Sequence, residues 1–549
     1  MIAGKVLAAI RSRVRRWRRS FARRRARRTV RTPELSSPAA AMATAHDLVF
    51  LIVIDGLRPD SIDPVTTPNL SRLAERGASF ADAHAVFPSD TRVNAAAIAT
   101  GTYPGTNGVV GNSMLLRDVD GGTSLVTLRH DDLLHAERSL NGPLLLVESL
   151  GQVLARHGQS LAAVSSASTG SALLLNHEAV RGVGALVNGA FDPGAVVAYP
   201  DRVNDAILGR FGPAPRKMGH GKPRADLVAW TQRVLMDYVV PELAPDVVID
   251  WITEPDHSQH AYGVGSPQAR EALSNVDAWI GYVLRRLKEL GLADRTDLLI
   301  ASDHGATRFE GTVDVEQALI EASLKGDASS RDVTVLANGA GAQIHCASGS
   351  PALVADIVSL IQRQEWAGPI FTAPAESDRH PPGDGVSPDG HVDGTFSLDF
   401  ARLYCSGRSP DVFVTLRWNS RPNEFGVPGA GPAARMRALH SGHGSISPWV
   451  MRTTMLGYGP NLREGAVVTA PASQVDLMPT ILHLRGIDDV EGIDGRVLVE
   501  AMRNGDGAAA PLVERRTVTT SSADGSYRAA LQVSVVGGHR YLDTGWANS

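Results

Sequence analysis

The chain has 549 residues, of which 43% are hydrophobic and 20% are charged, as in ordinary soluble globular proteins. Two cysteines, Cys346 and Cys405, are too few for a disulfide framework or a cysteine-rich zinc site. The net charge of −4 is uneven, because residues 1–31 carry twelve arginines and Lys5 without any acidic residue, which leaves −17 for the rest. An acidic body argues against a nucleic-acid groove spread over the fold.

The segment 1–45 is an arginine-rich arm without apolar periodicity, and we predict that it is disordered. Such an arm is able to make weak contacts with an anionic surface such as lipid head groups. A transit-like segment, or a start codon upstream of the native one with Met42 as the true start, are alternative interpretations. Neither a secretory signal nor a run of the ~18 apolar residues that a membrane span needs is present. A cytoplasmic or membrane-peripheral location is therefore expected.

Regular elements begin after Asp47. The apolar run "LVFLIVI" is typical of a buried parallel strand, "TTPNLSRLAERG" of a short helix, and 91–99 of an alanine-rich helix. Further strands are predicted at 161–167, 246–253, 297–305, 332–338, 411–416 and 449–459. Helices are predicted at 143–157, 224–240, 267–290, 314–324, 351–364 and 473–485. This alternation predicts an α/β fold with a mostly parallel central sheet covered by helices on both faces.

Two stretches interrupt this alternation. Residues 115–142 and 365–435 are rich in Gly, Pro, Asp and Ser, and we predict loop-rich insertions there. Residues 503–549 are a polar C-terminal tail with one strand-like piece, "RAALQVSVVGG". The predicted catalytic domain thus spans residues 46–502.

Polar side chains follow three of the predicted strands, at the edge where open parallel sheets bind ligands. These strand-end residues are Asp55, Asp256 with His260, and Asp303 with His304, to which the downstream "HSGHGS" adds His443. Carboxylate oxygens and imidazole nitrogens suit zinc, and a helical Asp-x-x-x-His spacing lets both side chains face one ion. A single aspartate after a strand is more often a turn or cap residue, but the combination predicts a metal centre.

The hydroxyl group of Thr91 is predicted to lie at the same metal centre. Thr91, in "FPSDTRVN", begins a helix, where free N–H groups and the helix dipole favour an anion such as phosphate. A metal ion bound to this hydroxyl would lower its pKa and make it a nucleophile. The alternative is that Thr91 or Asp90 only caps the helix, and Ser89 is interpreted as structural.

Together these motifs resemble the alkaline phosphatase superfamily, and within it the type I phosphodiesterase/nucleotide pyrophosphatase branch. "IVIDGLRPD", "ATGTYPGTNGVVGNSM" and "QVDLMPTILHLRGI" are similar to that branch, and the resemblance covers about residues 48–500. It implies an alkaline phosphatase-like three-layer sandwich and a dizinc hydrolase of small phosphate esters, with no nucleic acid expected at the catalytic domain. A phosphodiesterase/nucleotide pyrophosphatase-type reaction is the expected activity.

The resemblance also implies residue roles. One zinc ion would be held by Asp55, Thr91, Asp303 and His304, and the other by Asp256, His260 and His443. Thr91 would attack phosphorus to form a phosphothreonine that water hydrolyses, while Asn112 donates to a phosphoryl oxygen. His257 and His440 are neighbours rather than expected ligands.

Arg92 departs from the pattern, because nucleotide-cleaving members of this branch carry an aromatic residue directly after the nucleophile. A guanidinium group stacks differently and pairs with a phosphate or carboxylate, so we interpret Arg92 as a substrate-binding residue. The structural alternative is an exposed first-turn residue, or an ion pair with Asp90 or Asp60.

Other activities occur on the same fold. A sulfatase is disfavoured, because Thr91 cannot be converted to formylglycine and Val93 and Ala95 replace the proline and arginine of that motif. A phosphate monoesterase and a phosphonoacetate-type hydrolase remain alternatives. A non-catalytic binding protein is the alternative outside enzymes, and the complete set of metal-binding residue types argues against it.

Overall fold

The structure, a computed structural model, describes residues 47–119, 122–140, 142–192, 194–215, 223–373, 386–435, 439–503 and 511–548. The predictions for the arginine-rich arm fall outside these residues. Within them, no helix is both long enough and apolar enough to cross a bilayer.

The strands of the first half of the chain are β1 (Leu48–Ile54), β2 (Ala78–Phe80), β3 (Ala83–His84), β4 (Ser113–Leu116), β5 (Thr123–Val126), β6 (Leu161–Ser165), β7 (Ala185–Asp192), β8 (Val196–Tyr199) and β9 (Val247–Ile252). Those of the second half are β10 (Thr296–Ala301), β11 (Thr307–Val313), β12 (Val333–Asn338), β13 (Gly341–Cys346), β14 (Ala367–Thr372), β15 (Phe396–Ser397), β16 (Val412–Leu416), β17 (Asn419–Pro422), β18 (Pro428–Ala434), β19 (Ser441–Gly442), β20 (Met455–Tyr458), β21 (Ala466–Val468), β22 (Ala472–Ser473), β23 (Val513–Ser521), β24 (Arg528–Val536) and β25 (His539–Asn548).

The α-helices are α1 (Pro68–Arg76), α2 (Thr91–Thr100), α3 (Pro104–Asn107), α4 (His130–Leu140), α5 (Leu150–Arg156), α6 (Thr169–Leu175), α7 (Asp201–Phe211), α8 (Ala225–Val234), α9 (Asp256–Tyr262), α10 (Pro267–Glu289), α11 (Val315–Glu321), α12 (Pro351–Gln362), α13 (Pro448–Met451) and α14 (Leu477–Leu484). A π-helical stretch, Leu235–Leu243, continues α8.

A nine-stranded sheet with the order β21-β2-β20-β10-β1-β9-β6-β7-β8 forms the centre of the fold. Strand β1 runs parallel to β10 on one side and to β9 on the other, and β6 continues the parallel arrangement. Strands β20 and β8 are antiparallel to their neighbours. The C-terminal ends of β10, β1 and β9 therefore lie side by side, which is what brings their polar successors together.

Both faces of the central sheet are covered by helices. Alternate residues of β1 point to opposite faces, so Leu51 belongs to one apolar cluster and Phe50 to the other. The first cluster includes α2, α5, α6 and α14, and the second includes α1, α7, α8 and α10. The predicted three-layer α/β fold is confirmed.

Several local predictions differ from the structure. The strands predicted at 332–338 and 411–416 exist as β12 and β16, but they belong to a separate five-stranded sheet with antiparallel neighbours. The strand predicted at 449–459 is a helix followed by the strand β20, because Pro448 occupies the first turn and Ser447 Oγ accepts the Trp449 N–H. The loop-rich stretch 365–435 also contains strands β14 to β18, which include three of the members of the five-stranded sheet.

The C-terminal segment forms a three-stranded antiparallel sheet, β23-β24-β25, where the sequence predicts one strand-like piece. This sheet packs on earlier parts of the chain: the Tyr541 hydroxyl donates to Asp476, and the Thr544 hydroxyl and the Gly545 N–H both donate to the Ile446 carbonyl. The sequence does not predict β23, because this outer strand is largely exposed and therefore polar and rich in threonine.

Asp250 in β9 is fully buried on the sheet face that α8 covers, and its polar contact is the Gln232 Nε2 donor at 2.7 Å. Burial raises the pKa of this carboxyl to about 7. Because the folded-state pKa lies above the unfolded one, the stability contributed by the protonated form is lost as the pH rises from about 4 through about 7.

We therefore expect Asp250→Asn to stabilise the fold increasingly with pH, because the amide never has to ionise. The free energy of unfolding of the variant, relative to wild type, should increase by about 2–3 kcal/mol between pH 5 and pH 8. Urea denaturation at both pH values measures it. A difference that does not change with pH would contradict the raised pKa.

Candidate active site

Thr91 is the first residue of α2 and lies at the C-terminal edge of the central sheet. Its Oγ1 is 3.0 Å from the Nε2 of His304, which follows β10. The same Nε2 is 3.4 Å from Asp55 Oδ1 and 3.1 Å from Asp303 Oδ2. The structure thus brings together the four residues that the resemblance assigns to one zinc ion.

The second predicted set also comes together. Asp256, His260 and His443 each offer a ligand atom within 4.8 Å of the others, and all three are buried. Asp256 and His260 lie on one side of α9, as the four-residue spacing predicts, with 3.1 Å between Oδ2 and Nε2. Asp256 also groups with Asp55 and His304, so it lies between the two sets.

The three histidines are oriented in the same way. Each Nδ1 lies within hydrogen-bond distance of a backbone carbonyl: His260 with Ser441 at 2.6 Å, His304 with Gly305 at 2.9 Å, and His443 with Ser89 at 3.0 Å. If Nδ1 carries the proton and donates it, Nε2 is left as a lone-pair donor towards the site. A carbonyl acceptor on the far nitrogen is the usual arrangement behind a metal-binding histidine.

Buried carboxylate oxygens without hydrogen-bond partners are concentrated here. Among the described residues, one oxygen each of Asp55, Asp90, Asp256 and Asp303 makes no hydrogen bond and has no contact with solvent. Such oxygens are costly unless a cation balances them. The donor set of carboxylates, imidazoles and one hydroxyl, with these unsatisfied oxygens, fits divalent metal ions of the zinc type.

The electrostatics support the same conclusion. Burial and then the neighbouring charges of Asp303 and Asp256 raise the pKa of Asp55 well above its usual value, and burial raises that of Asp303 to about 7. Although burial acts in the opposite direction, the charge of Asp256 raises the pKa of His260 to about 9. Carboxylates held this close repel one another without cations.

Gly56 makes this close approach possible. It has a φ of +72°, and a Cβ at this position would lie 3.0 Å from Asp256 Cβ. Its N–H donates to Asp303 Oδ1 at 3.1 Å, which links the end of β1 to the end of β10. The other oxygen of Asp55, Oδ2, accepts the indole N–H of Trp251 at 3.1 Å.

Asn112 lies beside the nucleophile candidate, with its side chain in a defined orientation. Its Oδ1 accepts the Arg92 N–H at 3.1 Å, and its own N–H donates to Asp90 Oδ2 at 3.2 Å. The amide Nδ2 has no hydrogen-bond partner among the described residues and is left as a donor in the cavity that Asn112 and Thr91 both line.

Ser89 does not face this cavity. Its hydroxyl is buried and donates to the Ser445 carbonyl at 2.7 Å, while its own carbonyl accepts from His443. Of the two hydroxyls in "FPSDTRVN", Thr91 alone therefore lines the cavity.

Asp90 is a site residue that the sequence did not reveal. It is fully buried, its Oδ1 lies 3.7 Å from His443 Nδ1, and its side chain does not cap α2. Its position directly before Thr91 suggests a helix cap, so its interior position was not recognisable in the sequence.

The profile of the Type I phosphodiesterase / nucleotide pyrophosphatase family matches residues 49–421. The chain belongs to this family. This stretch includes the strand ends that carry Asp55, Asp256 and Asp303, together with Thr91. It ends before His443, which the structure nevertheless places beside Asp256 and His260.

Named relatives of this phosphodiesterase family are distant. The chain is 27% identical over 285 residues to human ectonucleotide pyrophosphatase/phosphodiesterase family member 7, covering 51% of this chain and 52% of that protein. It is 24% identical over 260 residues to venom phosphodiesterase from Naja atra, covering 47% of this chain and 26% of that protein. The chain thus spans about half or less of the length of the curated relatives it matches.

Solved structures of the family share the fold. Murine ectonucleotide pyrophosphatase / phosphodiesterase 5 superposes with a TM-score of 0.54 at 16% identity, over 81% of this chain and 96% of that one. An inactive form of that protein in complex with AMP gives 0.53 at 16% identity, with the same coverage. Identity this low extends only the fold to the present chain.

Proposed function

We propose that this chain is a metal-dependent hydrolase of small phosphate diesters, with Thr91 as its nucleophile. The observation that carries the proposal is the position of the Thr91 hydroxyl at the start of α2, 3.0 Å from His304 Nε2 and among buried carboxylate oxygens that make no hydrogen bond. The names of the relatives, pyrophosphatases and phosphodiesterases, agree with this reaction class.

The proposed cofactor is a pair of zinc ions. Asp55, Thr91, Asp303 and His304 would hold one, and Asp256, His260 and His443 the other. When bound, such ions supply Lewis acidity, which lowers the pKa of a hydroxyl and neutralises charge on phosphoryl oxygens.

In the proposed reaction Thr91 Oγ1 loses its proton to solvent water and attacks phosphorus. The new Oγ–P bond forms as the bond from phosphorus to the leaving oxygen breaks, and that oxygen takes the electron pair and then a proton. Water attacks the resulting phosphothreonine in a second displacement, which breaks the Oγ–P bond and restores the Thr91 hydroxyl.

Asn112 and helix α2 stabilise the charge that develops on phosphorus. The Asn112 Nδ2 donor is not used elsewhere in the described chain, so it is available to a non-bridging oxygen. The ten-residue helix α2 directs its positive end at the same position. Donors fixed in advance in this way favour the transition state over the ground state.

A substrate panel tests this function. We expect kcat/KM for bis(p-nitrophenyl) phosphate to exceed that for p-nitrophenyl phosphate by about tenfold or more, and that for p-nitrophenyl sulfate by about a hundredfold or more. A preference for the monoester or for phosphonoacetate would replace the diesterase assignment with one of the two alternative hydrolases. A preference for the sulfate ester would contradict phosphoryl transfer itself.

A further inference from the structure

Two arginines line the cavity that contains Thr91, and neither forms an ion pair with a described residue. The cavity has a volume of about 480 Å³, and Arg92 and Arg224 contribute to its wall together with Thr91, Asn112 and Asp256. Arg92 is the second residue of α2, and Arg224 directly precedes α8, so the two come from distant parts of the chain.

Arg92 is fixed at one end and available at the other. Its backbone N–H donates to Asn112 and its Nε donates to the Thr127 hydroxyl at 3.2 Å. The two terminal nitrogens make no hydrogen bond or ion pair with any residue in the described ranges. Arg92 forms an ion pair with neither Asp60 nor Asp90. Asp60 pairs with Arg58 at 2.6 Å, and Asp90 lies against Asn112 and His443.

Arg224 is more deeply buried, with 4% of its surface exposed. Its backbone N–H donates to Glu254 Oε1 at 2.6 Å, but its guanidinium has no hydrogen-bond partner in the part of the chain that the structure describes. The charges of Asp226 and Glu254 act on it from a distance, without an ion pair within 4.0 Å. A buried cation on a cavity wall without such partners is expected to have its counter-charge in a ligand.

The acidic residues of the cavity wall do not serve as partners. The carboxylates that line it are Asp55 and Asp256, and both belong to the candidate metal centre. Divalent ions bound there would neutralise the negative charge of these two carboxylates. The carboxylates would then not balance the two guanidinium groups on the wall of the same cavity.

We propose that Arg92 and Arg224 form a subsite for a second anionic group, a phosphate monoester or a carboxylate, that the substrate carries in addition to its scissile diester. This inference rests on the proposed function and specifies its substrate class. Guanidinium groups bind carboxylates and phosphates through paired N–H donors, and burial strengthens such charge-assisted bonds. Substrates without this second charge leave the buried Arg224 and the half-buried Arg92 unbalanced and bind more weakly.

Alkyl p-nitrophenyl phosphates test the subsite with a constant leaving group. The series compares an ethyl ester with 2-carboxyethyl, 3-carboxypropyl and 2-phosphonooxyethyl esters, and the readout is the ratio of kcat/KM for each anionic ester to that for the ethyl ester. We expect a ratio of about 30 or more in wild type for the best anionic ester, since two charge-assisted contacts are gained. The carboxylate and phosphate arms identify which anion fits.

Arg92→Met and Arg224→Met should each lower this ratio about tenfold, and the double variant should bring it near 1. Arg233→Met is the matched control, because Arg233 is exposed on α8 and outside the cavity, and it should leave the ratio unchanged. Arg224→Lys keeps a positive charge if the methionine variant does not fold, and should retain part of the preference.

The result that would overturn the subsite is distinct from failure of the proposed function. If the wild-type ratio is near 1 and the ethyl ester is hydrolysed, the subsite alone is refuted. The subsite is also refuted if the arginine variants lose activity only towards p-nitrophenyl phosphate, because that result would place both arginines at the scissile group. If no diester is hydrolysed, the proposed function fails. Calorimetric binding of methylphosphonate monoesters with and without the second anion then decides the subsite, and equal affinities overturn it.

Discussion

Thr91→Ala is expected to lower kcat for bis(p-nitrophenyl) phosphate by about a thousandfold or more, because it removes the proposed attacking oxygen. The missing hydroxyl leaves a cavity of only a few atoms at the start of α2, so the fold and the metal content should be retained. Steady-state kinetics, with circular dichroism and metal analysis of the same preparation, measure the three properties together.

Ser89→Ala is the matched control for this variant, two residues away in the same turn. It removes the hydrogen bond to the Ser445 carbonyl, at a cost of about 1 kcal/mol in stability, and keeps the backbone carbonyl that orients His443. Most of the turnover should therefore remain. Comparable losses in the two variants would mean that the segment 89–91 acts through its conformation and that Thr91 is not the nucleophile.

Asp256→Asn is expected to remove the metal ions and, with them, about a thousandfold or more of the diesterase activity. Asp256 is the residue that the two candidate ion groups share, so one substitution weakens both. An amide is a much poorer ligand than a carboxylate and has nearly the same shape, which limits structural side effects. Plasma mass spectrometry should find less than one zinc ion per chain, against two in wild type.

Asp250→Asn serves as its control, since the same change is made six residues earlier, within strand β9. Both aspartates are buried, but Asp250 contacts Gln232 rather than the candidate ligands. Its metal content should equal that of wild type. Full zinc occupancy in Asp256→Asn would contradict the assignment of Asp256 as a metal ligand.

The parallel part of the fold was predictable because its strands are apolar throughout. Strand β1 has seven consecutive buried residues, and such a run has few alternatives to an interior parallel strand. Once β1, β9 and β10 are parallel neighbours, the aspartates that follow them must lie close together. That is why the clustering of Asp55, Asp256 and Asp303 followed from the sequence.

Strands with small or polar residues were not predicted, because such residues are typical of turns and become strand residues only through tertiary contacts. Strand β7, "ALVNGAFD", contains Asn188 and Gly189, which are typical of turns, yet Asn188 is buried because its Nδ2 donates to the Ala167 carbonyl at 2.9 Å. The same holds for Asp90 and Arg224, whose importance depends on tertiary contacts. The spacing of residue types along the sequence does not predict such contacts.

The C-terminal sheet has a consequence for the order in which the protein is completed during synthesis. The Ile446 carbonyl, three residues after His443, accepts from Thr544, and 98 residues of chain separate the two. Strand β25 thus supports the loop that carries His443 only after residues 539–548 have left the ribosome. The strands that Asp55, Asp256 and Asp303 follow are synthesised earlier, so the loop that carries His443 is the last of these segments to gain its contact with β25. A metal ion at the proposed second set would therefore meet a complete and supported set of ligands only after the C-terminal strand has been synthesised.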